Sequence, residues 1–422
     1  MTFSTPDPVF LKFIADNSLS DLSTLRLKHH GKDAGFDLDF ALIQIECRRK
    51  CSSKLKNFTN NRLTLFPSVI AAEQSSHEAV ASFHASLVEK DWDVIDMTAG
   101  LGIDSMAMAK KCRRIVSCEL DQTKAAALSY NAKVSAIDNL VTENTDSVKY
   151  ISGSDRHYDL IFVDPARRGE ENARLYNFHD CQPDILSIMP MLLERGSKVM
   201  IKASPLLDIT QTIRDIPSIS SIRAISVNGE CKEILVETGT GTSTILAEAI
   251  DLHNNGEIIS RFSYGITNEA NAKHDEGRNN NPDKDSSLES SQNVVRYTVE
   301  SDIKAGIYLY EPNAPMMKLS PWIELSQRFP TLSKLAPSSH LFISPELIPD
   351  FPGRILKIIS LPDKKDRKAL KDYPVNIVSR NYPLSAVELR KKLKAKEGKE
   401  KFLYASRVGS TPILILADKI RI

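Results

Sequence analysis

The chain has 422 residues, of which 41% are hydrophobic and 26% are charged, and its net charge is +1 at pH 7. Roughly two to four domains are expected at this length, and no apolar run approaches the roughly 18 residues that span a bilayer. The six cysteines include no C-x-x-C pair and no cysteine–histidine spacing typical of a metal site, and the N-terminus has no basic stretch before an apolar core. These features exclude a disulfide scaffold and a zinc finger. They predict a cytoplasmic protein without a secretory signal or a membrane segment.

Residues 1–90 are predicted to form a helical segment, because apolar residues recur at helical spacing in Asp21–Leu27 and Phe40–Lys56. A charged run at the end of the second stretch is usually a solvated helix face, and contact with nucleic acid is the alternative. The basic residues of this run are Arg48, Arg49, Lys50, Lys54 and Lys56.

Two serines precede another amphipathic stretch, His77–Leu87. Ser75 or Ser76 is expected either to cap this helix or to belong to a segment that folds over a ligand pocket. Both alternatives are open, since the segment lies directly before the first predicted strand.

The stretch Asp93–Glu119 has the pattern of one half of a nucleotide-binding α/β fold. Its acidic end, Glu119, follows a strand and is placed to accept hydrogen bonds from ribose hydroxyls. The parts before it are the apolar strand Val94–Met97, a turn with Gly100 and Gly102, a helix that begins near Asp104, and the apolar strand Ile115–Cys118.

The glycine pattern narrows the choice of ligand. A dinucleotide site normally has a third glycine beside the pyrophosphate, and Ser105 occupies that position here. A ligand without phosphates, such as S-adenosylmethionine, needs only the tight turn and the acid. An ordinary strand–helix turn without a ligand is the remaining alternative.

Strands and helices continue to alternate after Glu119, which predicts a doubly wound parallel sheet. Asn228-Gly229 then predicts a hairpin between the strands Ile222–Val227 and Cys231–Glu237. An antiparallel hairpin that closes a parallel sheet is not found in dinucleotide dehydrogenases. The other predicted strands are Leu140–Asn144, His157–Val163 and Lys198–Ala203.

With these motifs, residues 91–240 resemble the core of class I S-adenosylmethionine-dependent methyltransferases, a Rossmann-like sheet of seven strands with an antiparallel hairpin. The resemblance implies S-adenosylmethionine as the cofactor, bound without a metal. It implies that the glycines let the backbone approach the methionine part, that Glu119 holds the ribose and that Asp146 holds the adenine amino group. The predicted cofactor-binding residues are Asp96, Thr98, Gly100, Gly102, Asp104, Glu119 and Asp146.

The segment after the strand His157–Val163 is predicted to face the methyl acceptor, and its candidate catalytic residues are Asp164, Pro165 and Arg167. Enzymes that methylate exocyclic amines commonly have an aromatic residue after the proline, and this chain has Ala166. The motif DPARRG looks more like RNA uridine C5 methyltransferases, which need a cysteine nucleophile after the fifth strand. This chain has KASPL there, so a covalent enzyme–base adduct is not expected.

The C-terminal part is predicted to hold two α+β modules. Residues 241–330 are expected to form a small unit around a disordered insertion, 268–293, that has almost no apolar residue. Residues 331–422 form the second module, and Arg354–Arg407 has 16 Lys and Arg against 6 Asp and Glu. This excess of positive charge is typical of a surface that binds phosphate backbones.

Three motifs of this part, YLYEPNAPMMK, FPGR and RNYPLSAVELRKKLK, resemble bacterial methyltransferases with a ferredoxin-like unit and a C-terminal THUMP-like domain. THUMP modules are associated with RNA, so the resemblance implies an RNA partner, ribosomal or transfer RNA. A non-catalytic protein that binds RNA or the cofactor is the alternative, as is a methyltransferase with another substrate. No feature of the sequence predicts the oligomeric state.

Overall fold

The structure is a computed structural model that describes residues 3–30, 33–167, 178–239, 243–267, 295–363 and 366–420. The predicted insertion 268–293 and the side chain of Arg167 lie outside this description. The chain divides into two compact units: the first holds the described residues up to Ile259 together with Gly265–Thr267, and the second holds Ser260–Tyr264 and the C-terminal part. Within the described ranges, no helix is both long and apolar enough to cross a membrane.

The N-terminal part is helical, as predicted. Three of its helices begin after an aspartate, Asp7, Asp21 or Asp37, whose carboxylate accepts a hydrogen bond from a backbone N–H of the first turn. The helices are α1 (Pro8–Asp16), α2 (Leu22–His29), α3 (Leu38–Cys51), α4 (Lys56–Asn60), α5 (Val69–Gln74) and α6 (Glu78–Ser86).

The basic run of α3 is not simply a solvated face. Arg48 donates to the carbonyl oxygens of four residues in the last turn of α4 and the loop after it, among them Thr64 at 2.7 Å. Arg49 donates in the same way to the loop after α1, and Lys50 pairs with Glu73 at 2.8 Å. Lys54 also donates to carbonyl oxygens of α5, so four of the five basic residues of the run tie the helical segment together.

The first unit is built on a nine-stranded sheet, with five helices in the connections between its strands. The strands are β1 (Asp93–Asp96), β2 (Arg114–Cys118), β3 (Leu140–Glu143), β4 (Tyr158–Val163), β7 (Gly196–Ala203), β8 (Ile219–Val227), β9 (Glu230–Thr238), β10 (Thr244–Leu252) and β11 (Ile258–Thr267); β5 (Ala166–Arg167) and β6 (Cys181–Gln182) form a separate pair. The helices are α7 (Ile103–Ala109), α8 (Gln122–Val134), α9 (Ser147–Ser152), α10 (Ile185–Arg195) and α11 (Ile209–Asp215).

The strand order is β11-β10-β8-β9-β7-β4-β1-β2-β3. Seven of these strands, from β8 to β3, have the predicted arrangement: β7, β4, β1, β2 and β3 are parallel, and β9 is antiparallel to both β7 and β8. The hairpin turns at Asn228 and Gly229, whose φ angles of 49° and 80° are left-handed, as the Asn-Gly pair predicts. The predicted fold class is therefore confirmed, and two further strands extend the sheet beyond the expected seven.

The added strands come from a segment that the sequence analysis placed in the ferredoxin-like unit. β10 pairs with β8 in parallel from Leu246 to Leu252, and most of its side chains are buried. Six of the nine residues of β10 are apolar, which suits a strand that extends the buried sheet of the first unit.

The second unit has one seven-stranded sheet, in the order β13-β14-β12-β15-β18-β17-β16. Residues 314–328 form two helices rather than one, because Pro321 cannot continue the first of them and Ser320 before it is left-handed. The elements are β12 (Tyr308–Pro312), α12 (Ala314–Leu319), α13 (Trp322–Arg328), β13 (Ser333–Lys334), β14 (Phe342–Ser344), β15 (Gly353–Ser360), β16 (Asn376–Ser379), α14 (Ala386–Leu393), β17 (Lys401–Val408) and β18 (Thr411–Lys419).

A buried carboxylate, Glu311 of β12, joins the motifs on which the C-terminal resemblance rests. It accepts hydrogen bonds from Arg354 at 2.7 Å, from Tyr404 at 2.7 Å and from Arg380 at 3.1 Å. Gly353 is required beside it, because a Cβ there would lie 2.2 Å from the Glu311 carbonyl oxygen. Two arginines of the basic C-terminal segment therefore form internal ion pairs.

Candidate active site

The glycine turn between β1 and α7 lies at the carboxyl edge of the parallel strands. Gly100 and Gly102 both have left-handed φ angles, +55° and +82°. A Cβ on Gly102 would lie 2.0 Å from a methyl carbon of Leu128, whereas a Cβ on Gly100 would have no atom within 4 Å. Gly102 thus serves close packing of the turn on α8, and Gly100 leaves open space beside the backbone.

Glu119 fixes the glycine turn. One of its carboxylate oxygens accepts from the Gly100 N–H at 2.8 Å, and the other accepts from the Asp121 N–H at 2.8 Å. Each oxygen has a second lone pair, so these bonds leave room for two hydroxyl donors.

Asp96 ends β1 and is almost completely buried. Burial raises the pKa of its carboxyl to about 7, although hydrogen bonds from the Ser105 hydroxyl and the Thr98 N–H oppose the rise. Asp96 can therefore change its charge near neutral pH.

Thr98 links the glycine turn to the predicted acceptor segment. Its hydroxyl oxygen accepts from the Asp164 N–H at 2.7 Å. This contact joins the glycine turn to the residue that follows the neighbouring strand β4.

Asp146 caps α9 with one carboxylate oxygen, which accepts from the N–H groups of Val148 and Lys149. Its second oxygen has no described partner, and it does not line the cavity at the glycine turn. Its adenine contact remains a prediction.

Asp104 does not begin its helix. Gly102 is the residue before α7, and Asp104 lies in the first turn with its side chain 10% exposed. Its carboxylate accepts from His84 Nδ1 at 2.8 Å and from the Ser76 hydroxyl. Burial would raise the pKa of Asp104, but His84 and Lys202 outweigh it and lower the pKa to about 2.

His84 of α6 is fully buried between two carboxylates, because its Nε2 also lies 2.6 Å from Glu233 Oε1 on β9. Burial alone would lower the pKa of this imidazole. The charges of Glu233 and Asp104 and their hydrogen bonds outweigh burial and raise the pKa to about 10. His84 is therefore a cation at neutral pH.

Lys202 lies near the carboxyl end of β7. An RNA uridine C5 methyltransferase would have its cysteine nucleophile just after this point. The Lys202 ammonium donates to Asp164 at 2.6 Å and to the Ser76 hydroxyl at 2.8 Å, and it lies 4.0 Å from Glu233. Burial disfavours this charge, but the carboxylates of Asp164, Asp104 and Glu233 raise the pKa of Lys202. Burial also raises the pKa of Asp164, and Lys202 opposes that rise.

These contacts form one ionic cluster that joins α6, α7, β7, β9 and the end of β4. Its members are Ser76, His84, Asp104, Asp164, Lys202 and Glu233. Sequence analysis identified only Asp104 and Asp164 as site residues. Lys202 could have been found from the sequence, because it lies at the carboxyl end of a predicted strand. His84 and Glu233 are 149 residues apart, and no sequence pattern indicates their contact.

Two cavities adjoin this cluster. A narrow one of about 70 Å³ contains the glycine turn, with Asp96, Thr98, Gly100, Gly102 and Asp104 in its wall. A wide one of about 640 Å³ contains Asp164 and the buried Pro165. Residues that line both are Gln74, Ser75, Ser76 and Asp164.

The segment before α6 therefore lines both cavities. The residue that caps α6 is His77, and not Ser75 or Ser76. Arg167 pairs through its backbone with Cys181 in the β5–β6 ladder. Among the residues that the structure describes, no group of three or more His, Cys, Asp or Glu side chains could hold a metal ion.

The glycine turn has features that fit an adenosyl ligand, although its 70 Å³ is below the roughly 300 Å³ of a complete ligand pocket. The backbone at Gly100 is open on its Cβ side, and Glu119 keeps acceptor lone pairs beside it. The strand order, the hairpin and this turn together define a class I methyltransferase fold.

Comparison with known proteins identifies two modules in the C-terminal part of the chain. A family model of a ferredoxin-like domain matches residues 308–352, and a model described as THUMP domain-like matches residues 354–419. The predicted ferredoxin-like and THUMP-like modules are thus confirmed, and their strands share the single sheet of the second unit. The ferredoxin-like match crosses residue 331, where the sequence analysis began the THUMP-like module.

The chain has the fold of a protein from Porphyromonas gingivalis W83 whose crystal structure is titled as that of a "putative methyltransferase". The similarity covers 100% of both chains, with a TM-score of 0.80 and 23% identity.

Curated relatives match a smaller part. An uncharacterized RNA methyltransferase of Mycoplasma mobile is 29% identical over 79 residues, 19% of this chain and 22% of its own length. A 23S rRNA (uracil(1939)-C(5))-methyltransferase of Aeromonas salmonicida is 29% identical over 118 residues, 27% of each chain. The chain therefore spans about a quarter of the length of these relatives.

Proposed function

We propose that this protein transfers a methyl group from S-adenosylmethionine to a base of structured RNA, ribosomal or transfer RNA. The observation that carries the proposal is the position of Asp164, which lines both the glycine-turn cavity and the wide cavity. A methyl donor in the first and an acceptor in the second would meet at this residue.

The donor side has a turn and a charge suited to this ligand. Gly100, Gly102 and Glu119 would hold the adenosyl and methionine parts, and S-adenosylmethionine supplies an activated methyl group when bound. The five ionisable members of the ionic cluster are two cations, His84 and Lys202, and three carboxylates, so its formal charge is −1. A net negative cluster beside the glycine turn favours a cationic sulfonium ligand.

The acceptor side favours direct transfer to a heteroatom rather than a covalent adduct. No cysteine is among the described residues that line the wide cavity, and Lys202 with Ser204 stands where a nucleophilic cysteine would be needed. Asp164 Oδ2 accepts a hydrogen bond from Lys202, and Asp164 Oδ1 has no described partner. That oxygen can accept a hydrogen bond from an acceptor N–H or O–H and orient it, so catalysis is mostly positioning.

A groove on the THUMP-like domain supports RNA as the partner. It has a volume of about 440 Å³, and Lys368, Lys371, Lys392 and Lys394 surround Tyr382 and several leucines. Lysines around an aromatic ring are suited to a phosphate backbone and a stacked base. The curated RNA methyltransferases that the chain partly matches also support this substrate class.

The test is methyl transfer from labelled S-adenosylmethionine to total RNA of a strain that lacks the gene, followed by nucleoside mass spectrometry. The intact chain should label one nucleoside of that RNA and none in RNA from the parent strain, where the position is already methylated. Asp164→Asn should abolish labelling while donor affinity, measured by calorimetry, stays within about tenfold.

Two further variants separate the parts of this proposal. Glu119→Ala should lose donor binding, because it removes two charge-assisted acceptors worth roughly 1.5–3 kcal/mol each. Glu89→Ala is the matched control, since Glu89 is exposed and lines neither cavity. Absence of donor binding by the intact chain would refute the cofactor, and donor binding without RNA labelling would refute the substrate.

A further inference from the structure

Three basic side chains that line the wide cavity lie outside the ionic cluster: Lys54, His77 and Lys232, which we call the cationic rim. The proposed reaction does not use them. They come from three different places in the fold: the loop after α3, the residue before α6, and β9.

Lys54 is held in position by backbone groups alone. Its ammonium donates to the Glu73 carbonyl at 2.7 Å and to the Ala72 carbonyl at 3.4 Å, near the end of α5. Its own carbonyl accepts from the Glu78 N–H at 3.0 Å. Among the described residues, no carboxylate lies within 4.0 Å of this ammonium. Lys54 is thus a fixed cation without an anionic partner.

The other two rim residues, Lys232 and His77, also have charged neighbours. Lys232 pairs at 2.8 Å with Glu230, whose side chain is 77% exposed. His77 Nδ1 accepts from the Ala79 N–H, so the neutral ring carries its proton on Nε2. Burial lowers the pKa of His77, and Lys232 and Lys54 lower it further, whereas a side-chain hydrogen bond with Asn254 and the charge of Glu230 oppose this shift.

The charges around the rim favour an anionic ligand. Burial lowers the pKa of Lys54, and the charges of Lys202 and Lys232 add to this effect. With Lys54 and Lys232 as cations, His77 neutral and Glu230 as an anion beside Lys232, the formal charge of the rim together with Glu230 is +1. A single phosphodiester carries the opposite charge and offers two oxygens to lysine and imidazole donors.

We propose that the cationic rim binds one phosphodiester of the acceptor strand, next to the nucleotide that enters the wide cavity. This inference rests on the proposed function and assigns part of its substrate recognition to the first unit, separately from the THUMP-like domain. The phosphate would hold the RNA strand in place while the base reaches Asp164. This arrangement explains why the cavity is wider than a base alone requires.

The direct test follows His77 by NMR in the intact chain, with histidine labelled at its ring Cε1 carbon. The chain has nine histidines, and His77→Gln assigns the signal. The probes are inorganic phosphate and a mixture of dinucleoside monophosphates, each added at constant ionic strength, with unphosphorylated nucleosides as the comparison. Both phosphate probes should raise the pKa of His77 by about 0.5 or more, as one anion within about 6 Å would in water-like surroundings. Nucleosides should leave it unchanged.

Variants of neighbouring lysines provide the control. Lys54→Met should abolish the response of His77 to both phosphate probes, and Lys54→Arg should restore it. Lys56→Met should behave as the intact chain, because Lys56 is exposed and outside the cavity. Thermal unfolding of each variant shows that it is folded. A His77 pKa that ignores phosphate in the intact chain overturns the proposal, as does an equal response in Lys54→Met. A response to inorganic phosphate but not to the dinucleotides identifies a free-phosphate site and overturns the strand contact.

Turnover separates this inference from the proposed function. In the RNA assay, Lys54→Met should raise KM about tenfold or more with kcat nearly unchanged, since one charge-assisted contact is lost. If the chain methylates no RNA, the NMR result still decides whether the rim binds phosphate. If it methylates RNA with the same KM in Lys54→Met, the rim proposal is wrong and the enzyme assignment stands.

Discussion

The most informative perturbation is His84→Gln, since His84 is the central cation of the ionic cluster. The imidazole is fully buried, and its pKa rises from 6.5 to about 10 on folding. A rise of this size corresponds to about 5 kcal/mol as an upper limit, at 1.36 kcal/mol for each pH unit. Loss of one partner from a buried ionic group typically costs about 3–5 kcal/mol. We therefore expect the variant to lose about 3–5 kcal/mol of the free energy of unfolding of the first unit at neutral pH.

The pH dependence gives a second, independent measure. Because the pKa of His84 is higher in the folded state, its contribution is complete below pH 6.5 and is lost as the pH rises toward about 10. The free energy of unfolding of the intact chain should fall by up to about 1.4 kcal/mol between about pH 7.5 and 8.5 from this group. His84→Gln should lack that part of the slope.

The assay is urea unfolding followed by tryptophan fluorescence. The chain has two tryptophans, Trp92 in the first unit and Trp322 in the second, so a Trp322→Phe background reports on the first unit alone. His157→Gln is the control, because its side chain is exposed. Equal slopes with pH for the intact chain and His84→Gln would show that His84 is neutral in the folded state and would refute the reasoning.

Two further predictions concern packing in each unit. Gly102→Ala should destabilise the first unit by about 2–4 kcal/mol, because it combines a left-handed backbone with a clash against Leu128. Gly35→Ala, equally left-handed but with open space at its Cβ, should cost only about 1–2 kcal/mol in the same urea assay, and equal losses would refute the packing role. Glu311→Gln should destabilise the second unit by about 1–3 kcal/mol, as hydrogen bonds from two arginines and a tyrosine lose their charged acceptor. Trp322 fluorescence in a Trp92→Phe background measures it, with the exposed Glu397→Gln as control, and equal midpoints would contradict it.

Local sequence patterns predicted many of the strands and turns of the first unit. Between β1 and Glu119, each element has a signal in adjacent residues of the sequence. The strand has an apolar run, the turn has glycines that permit a left-handed backbone, and the acid follows directly after a strand. Asn228-Gly229 predicted the hairpin for the same reason. Thr98 and Asp164 were both identified, but their hydrogen bond across two strands was not.

Only the tertiary structure decided which charges are buried and paired. Arg48 and Arg49 look like a solvated basic face in sequence, yet they bind carbonyl oxygens of loops distant in the chain. His84 and Glu233 meet only because α6 and β9 pack together, and no spacing along the chain encodes that contact. Sequence therefore specified the turn that would hold a donor, because a turn is local. The ionic cluster beside it required the fold, because burial and charge pairing depend on residues that are far apart in the chain.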